Sequence, residues 1–116
     1  MMPVIFINMV EGVGEEQKKN MLKRVTEVSA KSVGLPHERV KIVLTERSAG
    51  QVAVGGKLLS ESGLNGLLYP MVFINTKVGK GEELLLTWKK EAAEAISETC
   101  GIPIENVAVF FIEHRL

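Results

Sequence analysis

Residues 3–8 read PVIFIN, and residues 70–75 read PMVFIN. A shift of 67 residues lays one phrase on the other, and the register does not end there. At the same offset Gly12 meets Gly79, Gly14-Glu15-Glu16 meets Gly81-Glu82-Glu83, and Lys23 meets Lys90. Gly34 then meets Gly101, Pro36 meets Pro103, and Glu46 meets Glu113, still without a gap. Register held over this length marks a tandem duplication, and an internal repeat has to be recognised before any element is assigned.

Each copy reads as strand, helix, strand. The phrases PVIFINMV and PMVFINTKV are apolar and β-branched, as buried strands are. A glycine loop follows each (EGVG and GKG), and then come acidic residues suited to a helix N-terminus. Helical spacing predicts an apolar face of Met21, Val25, Val28 and Ser32 in the first helix, and of Leu85, Trp88, Ala92 and Ile96 in the second. Gly34 and Gly101 stand where a helix ends in a left-handed residue, with Pro36 and Pro103 preventing continuation. The second strands are VKIVLTE and VAVFFIE.

A strand–helix–strand crossover leaves its strands parallel. Two such units predict an α+β fold with four strands in one sheet and both helices on one face. Residues 3–56 are expected to form the first unit, ending in a short hairpin at GQVAVGG. Residues 57–69 are expected to be a linker, and residues 70–116 the second unit, which lacks a hairpin. FIN and FFI predict that the uncovered sheet face is apolar, and self-association is its expected cover.

Composition narrows the classes of function. Of 116 residues, 46% are hydrophobic and 24% charged, ordinary values for a globular chain. Fourteen basic and fourteen acidic side chains cancel, so no net field favours nucleic acid or membrane. No apolar run approaches the roughly 20 residues of a membrane span, and no basic leader precedes the first apolar stretch. One cysteine, Cys100, forms no internal disulfide and fits a cytoplasmic location. Two distant histidines and that cysteine make no recognisable metal set. Gly55-Gly56 lacks the lysine and hydroxyl residue of a phosphate loop.

Pro3, Glu11-Gly12, Glu16-Gln17-Lys18, Thr45-Glu46 and Gly55-Gly56-Lys57-Leu58 closely resemble the 4-oxalocrotonate tautomerase pattern, from Pro3 to about residue 61. The second unit keeps the strands and helix, so the whole chain resembles the longer members of the tautomerase superfamily. Those include macrophage migration inhibitory factor and cis-3-chloroacrylic acid dehalogenase. The resemblance implies a homotrimer of two-unit chains that covers the bare sheet faces. It also implies a small enol, keto or unsaturated carboxylic acid as substrate, and no cofactor or metal.

The resemblance assigns Pro3 as the catalytic residue, its secondary amine serving as general base. A chain α-amino group has a reference pKa of roughly 8, so desolvation or nearby cations are needed to free it at neutral pH. Pro70 follows Tyr69, and its nitrogen is an amide without basicity, which makes it a strand-starting residue. Pro3 lies behind Met1 and Met2, and translation from Met2 followed by loss of that methionine would free it. The substrate-binding residues implied are Lys41, in the place of the family's second-strand arginine, and Lys77 and Lys80, in the places of the chloroacrylate dehalogenases' two arginines. Val52 stands for the aromatic wall, while Val13 and Ala108 replace charged positions and cannot serve. Lysine supplies charge without the bidentate fork of arginine, so the anion would be held more loosely. The alternative is a catalytically silent trimer of this fold, acting as a binding or scaffold protein because Pro3 is not N-terminal.

Overall fold

The computed structural model describes residues 2–115. Strand β1 (Val4–Val10) leads to helix α1 (Glu15–Val33) and strand β2 (Lys41–Arg47). A hairpin of β3 (Ala53–Val54) and β4 (Lys57–Leu58) and a one-turn helix α2 (Leu59–Ser62) follow. Strand β5 (Met71–Lys77), helix α3 (Glu82–Cys100) and strand β6 (Ala108–His114) complete the fold. The hairpin's second strand and α2 lie within the stretch expected as a linker, because Gly55 and Gly56, both at positive φ, turn the chain there.

The main sheet has the order β2-β1-β5-β6. Each repeat contributes a parallel pair, β1 with β2 and β5 with β6, as the strand–helix–strand reading requires. The two repeats join through an antiparallel seam in which Ile5 faces Ile74, Phe6 faces Phe73 and Ile7 faces Val72. Phe6 and Phe73 are also each other's counterparts in the repeat, so a local two-fold axis passes between them. The first strands therefore run in opposite directions from a shared centre.

Alternation along the seam separates the sheet's faces. Ile5, Ile7, Met9, Val72 and Ile74 are buried beneath the helices. Each such aliphatic side chain contributes about 1.5–3 kcal/mol on burial. From α1 the buried residues are Met21, Val25, Ser29 and Ala30, and from α3 they include Trp88, Ala92, Ala93, Ala95, Ile96 and Cys100. The face of α1 thus follows a spacing of four and takes Ser29 rather than the predicted Ser32. The reason is chemical: the indole Nε1–H of Trp88, fully buried, donates to Ser29 Oγ at 2.9 Å. Both long helices end in left-handed glycines, Gly34 at φ 66° and Gly101 at φ 68°, as their spacing predicts.

The opposite face carries no helix. Phe6, Val43, Met71, Phe110 and Ile112 project from it, each between 42% and 48% exposed. Phe73 and Phe110 stack there with ring centroids 5.3 Å apart.

Replacing Ser29 by Ala strands a buried indole N–H, at a cost of about 1–3 kcal/mol. Urea unfolding of Ser29→Ala should show a lower midpoint at unchanged slope, and an unmoved midpoint would show the bond to be dispensable.

Candidate active site

Because β1 and β5 are antiparallel, the start of the first repeat meets the end of the second repeat's strands. Pro3 is fully buried at this end. Its carbonyl accepts the backbone N–H of Lys41 at 3.2 Å. Lys41 pairs with Val4, and its exposed side chain therefore lies on the bare face beside the first strand's start. Lys77, also exposed, is the last residue of β5 at the same end, paired with His114 of β6. Pro3, Lys41 and Lys77 thus lie at one end of the sheet within a single chain.

A further pair of side chains completes this end. Asn75 faces Val4 across the seam and donates from Nδ2 to the Val4 carbonyl at 3.1 Å. A carbonyl only accepts, so the Asn75 amide orientation follows, with Oδ1 turned toward His114 Nε2 at 2.8 Å. The imidazole must then donate from Nε2, which leaves Nδ1 outside this chain of bonds. The sequence reading takes His114 only as one of two distant histidines and gives Asn75 no role. The repeat register held the signal: Asn75 is the counterpart of Asn8, and His114 of Arg47, all in strands of the seam sheet.

Two other expected site residues lie elsewhere. Lys80 is half-buried and lines a separate cleft of about 710 Å³ with Lys31 and Ser32 of α1 and Glu82 and Glu83 of α3. Val52 lies at the far end of the sheet, where it lines a cleft of about 580 Å³ with Pro70, Tyr69 and Arg47. The antiparallel seam is the cause, since the first repeat's hairpin is carried to the end where the second repeat begins. Seven residues of β1, roughly 20 Å of extended chain, separate the two ends. Val52 therefore does not join Pro3 in a single chain.

The Pro70 end repeats the backbone geometry with different chemistry. Ala108 N–H donates to the Pro70 carbonyl at 3.0 Å, the counterpart of the Lys41 bond to Pro3. Ala108 replaces Lys41, Val10 replaces Lys77, and Arg47 replaces His114.

Several motif residues prove to be structural. Lys18 bridges Glu15 at 3.0 Å and Glu46 at 2.9 Å, tying the first turn of α1 to β2. Hydrogen bonds to Glu46 and then Glu15 raise the Lys18 pKa above its ordinary 10.5. Gln17 Oε1 accepts the Gly14 N–H at 3.1 Å at the helix start. Cys100 is buried against Met21, with Sγ 3.6 Å from Sδ, and burial pushes its thiol pKa up, away from reactivity.

A family model described as "Tautomerase enzyme" matches residues 3–62. The chain belongs to the tautomerase family. A probable tautomerase of Lactiplantibacillus plantarum is 37% identical over 60 residues, covering 52% of this chain and 94% of that protein. A probable tautomerase of Bacillus cereus is 40% identical over 60 residues, 52% of this chain and 98% of its own length. A 2-hydroxymuconate tautomerase of Pseudomonas putida is 33% identical over 60 residues, covering 52% of this chain and 95% of that protein. The whole chain, second repeat included, is similar in fold to a native fused 4-OT crystal structure. The TM-score is 0.89 at 20% identity, covering 97% of this chain and 87% of that one. A fused 4-OT solved as an asymmetric trimer gives a TM-score of 0.87 at 20% identity, again over 97% of this chain and 87% of the other.

A raised lysine pKa stabilises the fold below the unfolded value near 10.5, and that contribution disappears as pH rises through the higher folded value. The stability gap between the unaltered protein and Lys18→Met should therefore be constant from neutral pH to about pH 10 and shrink above it. Urea titrations at neutral pH and near pH 11 read this directly, and a gap that persists unchanged would exclude the Glu46 and Glu15 bridges as its source.

Proposed function

We propose that the chain is a tautomerase in which the secondary amine of Pro3 acts as general base on a small enol, keto or unsaturated carboxylic acid. One observation carries this reading: the family match begins at Pro3, and that proline, unlike Pro70, shares its strand end with Lys41 and Lys77. The relatives described as 2-hydroxymuconate tautomerases support the substrate class.

The chemistry follows from the placement. Lys41 and Lys77 hold the substrate carboxylate by charge, at the strand end where Pro3 lies. Cations at the same strand end oppose a further positive charge on the amine and favour its free base. The amine takes a proton from the enol hydroxyl or an acidic carbon, becoming an ammonium. It then returns that proton to a conjugated carbon, so the substrate isomerises and the amine is regenerated. Nothing is gained or lost in the cycle, and the step asks nothing of a metal or cofactor.

The mechanism needs the Pro3 nitrogen as a free amine, which requires removal of what precedes it. A second reading is favoured by one observation: Pro3 is buried behind Met2, to which its nitrogen is joined as an amide. With that amide intact, the chain is a silent member of the fold that binds without turnover. The intact mass of the protein from its native host separates the two.

A homotrimer is the proposed assembly, with neighbouring chains covering the apolar face of Phe6, Val43, Phe110 and Ile112. The trimeric fused 4-OT structures support it. A cytoplasmic location is proposed as well, supported by the single buried free cysteine. No helix among the described residues is long and apolar enough to cross a membrane.

Assayed with phenylenolpyruvate or 2-hydroxymuconate, Pro3→Ala should lose about 10²–10⁴ in kcat/KM. Lys41→Met should raise KM about tenfold or more, the scale of a lost charge-assisted hydrogen bond. Full activity of Pro3→Ala would exclude the amine as the base. Phe110→Glu should shift the sedimenting species from three chains to one, and an unchanged species would place the subunit interface elsewhere.

A further inference from the structure

A nitrogen that is to exchange protons with a substrate cannot also be tied into the sheet, so the start of β1 has to be held through its carbonyls. Without such ties a chain end frays. Two bonds supply them, one from each neighbouring strand. From β2, the Lys41 N–H donates to the Pro3 carbonyl at 3.2 Å. From β5, Asn75 Nδ2 donates to the Val4 carbonyl at 3.1 Å. The second is a side-chain bond, and an unrestrained amide side chain turns between rotamers. His114 of β6 removes that freedom: its Nε2 lies 2.8 Å from Asn75 Oδ1, and both side chains are partly buried.

The other repeat serves as an internal comparison. At the 67-residue offset Asn75 corresponds to Asn8, His114 to Arg47 and Val4 to Met71, and Asn8 faces Met71 across the seam as Asn75 faces Val4. Among the described residues, no bond runs from Asn8 to the Met71 carbonyl or from Arg47 to Asn8, where Asn75 and His114 form both. Only the backbone bond recurs, from Ala108 N–H to the Pro70 carbonyl at 3.0 Å. Pro70 is not a chain end: the backbone runs into it from Leu68, whose carbonyl accepts Val10 N–H at 2.9 Å. Both repeats carry the asparagine, but the histidine-locked bond is made only beside the proline whose nitrogen can become an amine.

We propose that Asn75 and His114 are positioning residues for the Pro3 amine. His114 fixes the Asn75 amide, and Asn75 holds the first residues of β1 so that the nitrogen keeps its place against the substrate. Neither side chain touches the substrate in this role, and neither needs access from solvent, so a neighbouring chain covering this face leaves the arrangement intact. A misplacement near 1 Å at a reacting group costs about 10²-fold in rate, which gives a bond one residue away its leverage. The proposal rests on the reading of Pro3 as the base.

The test uses protein whose chain begins at Pro3, and reads turnover of phenylenolpyruvate together with amide hydrogen exchange. Asn75→Leu and His114→Phe should each lower kcat about tenfold to a hundredfold while KM stays within about twofold. That is the reverse of the KM effect expected for Lys41→Met. In both variants the Lys41 amide should exchange about tenfold faster or more, while the Ala108 amide, its counterpart on Pro70, keeps its rate. His114→Gln, which retains an N–H donor at similar reach, should recover most of kcat and of the Lys41 protection. Unchanged kcat in Asn75→Leu and His114→Phe overturns the proposal. Exchange that quickens equally at Lys41 and Ala108 also overturns it, because the pair would then serve stability alone. Full activity of Pro3→Ala has a different meaning: the Pro3 reading itself fails, and the positioning role goes with it.

Discussion

The antiparallel seam between β1 and β5 is the constraint on which everything else in the molecule rests. Phe6 opposite Phe73 sets its centre, and Ile5 with Ile74 and Ile7 with Val72 bury its helix side. A slip of one residue would turn the two aliphatic side chains of the slipped strand out of the core and bring its phenylalanine, Phe6 or Phe73, beneath the helices. The burial of the core thus enforces the register. Register in turn decides which residues share an end of the sheet: each repeat's loop after its first strand lies at the end where the other repeat's proline starts its strand. That is why Lys77 reaches the Pro3 end and Val10 the Pro70 end.

The helix layer makes the same seam one-sided. Trp88 closes the space between α1 and α3, its ring packing at 5.4 Å from Phe111 and its N–H satisfied by Ser29. With both helices spent on one face, the other keeps its phenylalanines exposed and available for another chain. The apolar face and the two strand ends are consequences of one topology. The seam that positions Pro3 also exposes the surface on which a neighbouring chain would sit.

Much of the fold was legible in the sequence, because duplication writes every signal twice. Gly34 and Gly101, Pro36 and Pro103, and the two PxxFIN strands each confirm the other's meaning. Periodicity could not reveal that Ser29, a polar residue, belongs in the core, since its partner Trp88 lies 59 positions away in sequence. The site was less legible than the fold. A linear motif places Pro3, Lys41 and Val52 in one series, but the antiparallel seam sends Val52 to the other end. The hydrogen bonds from His114 through Asn75 to Val4 span three strands, and no local pattern announces such a path.

Joining two equivalent units in one chain also changes what each can become. Only one of two strand-leading prolines can ever stand at an N-terminus, so the peptide bond after Tyr69 removes Pro70 from amine chemistry outright. The residues there show the freedom this allows: Ala108 where the other end has Lys41, and Val10 where it has Lys77.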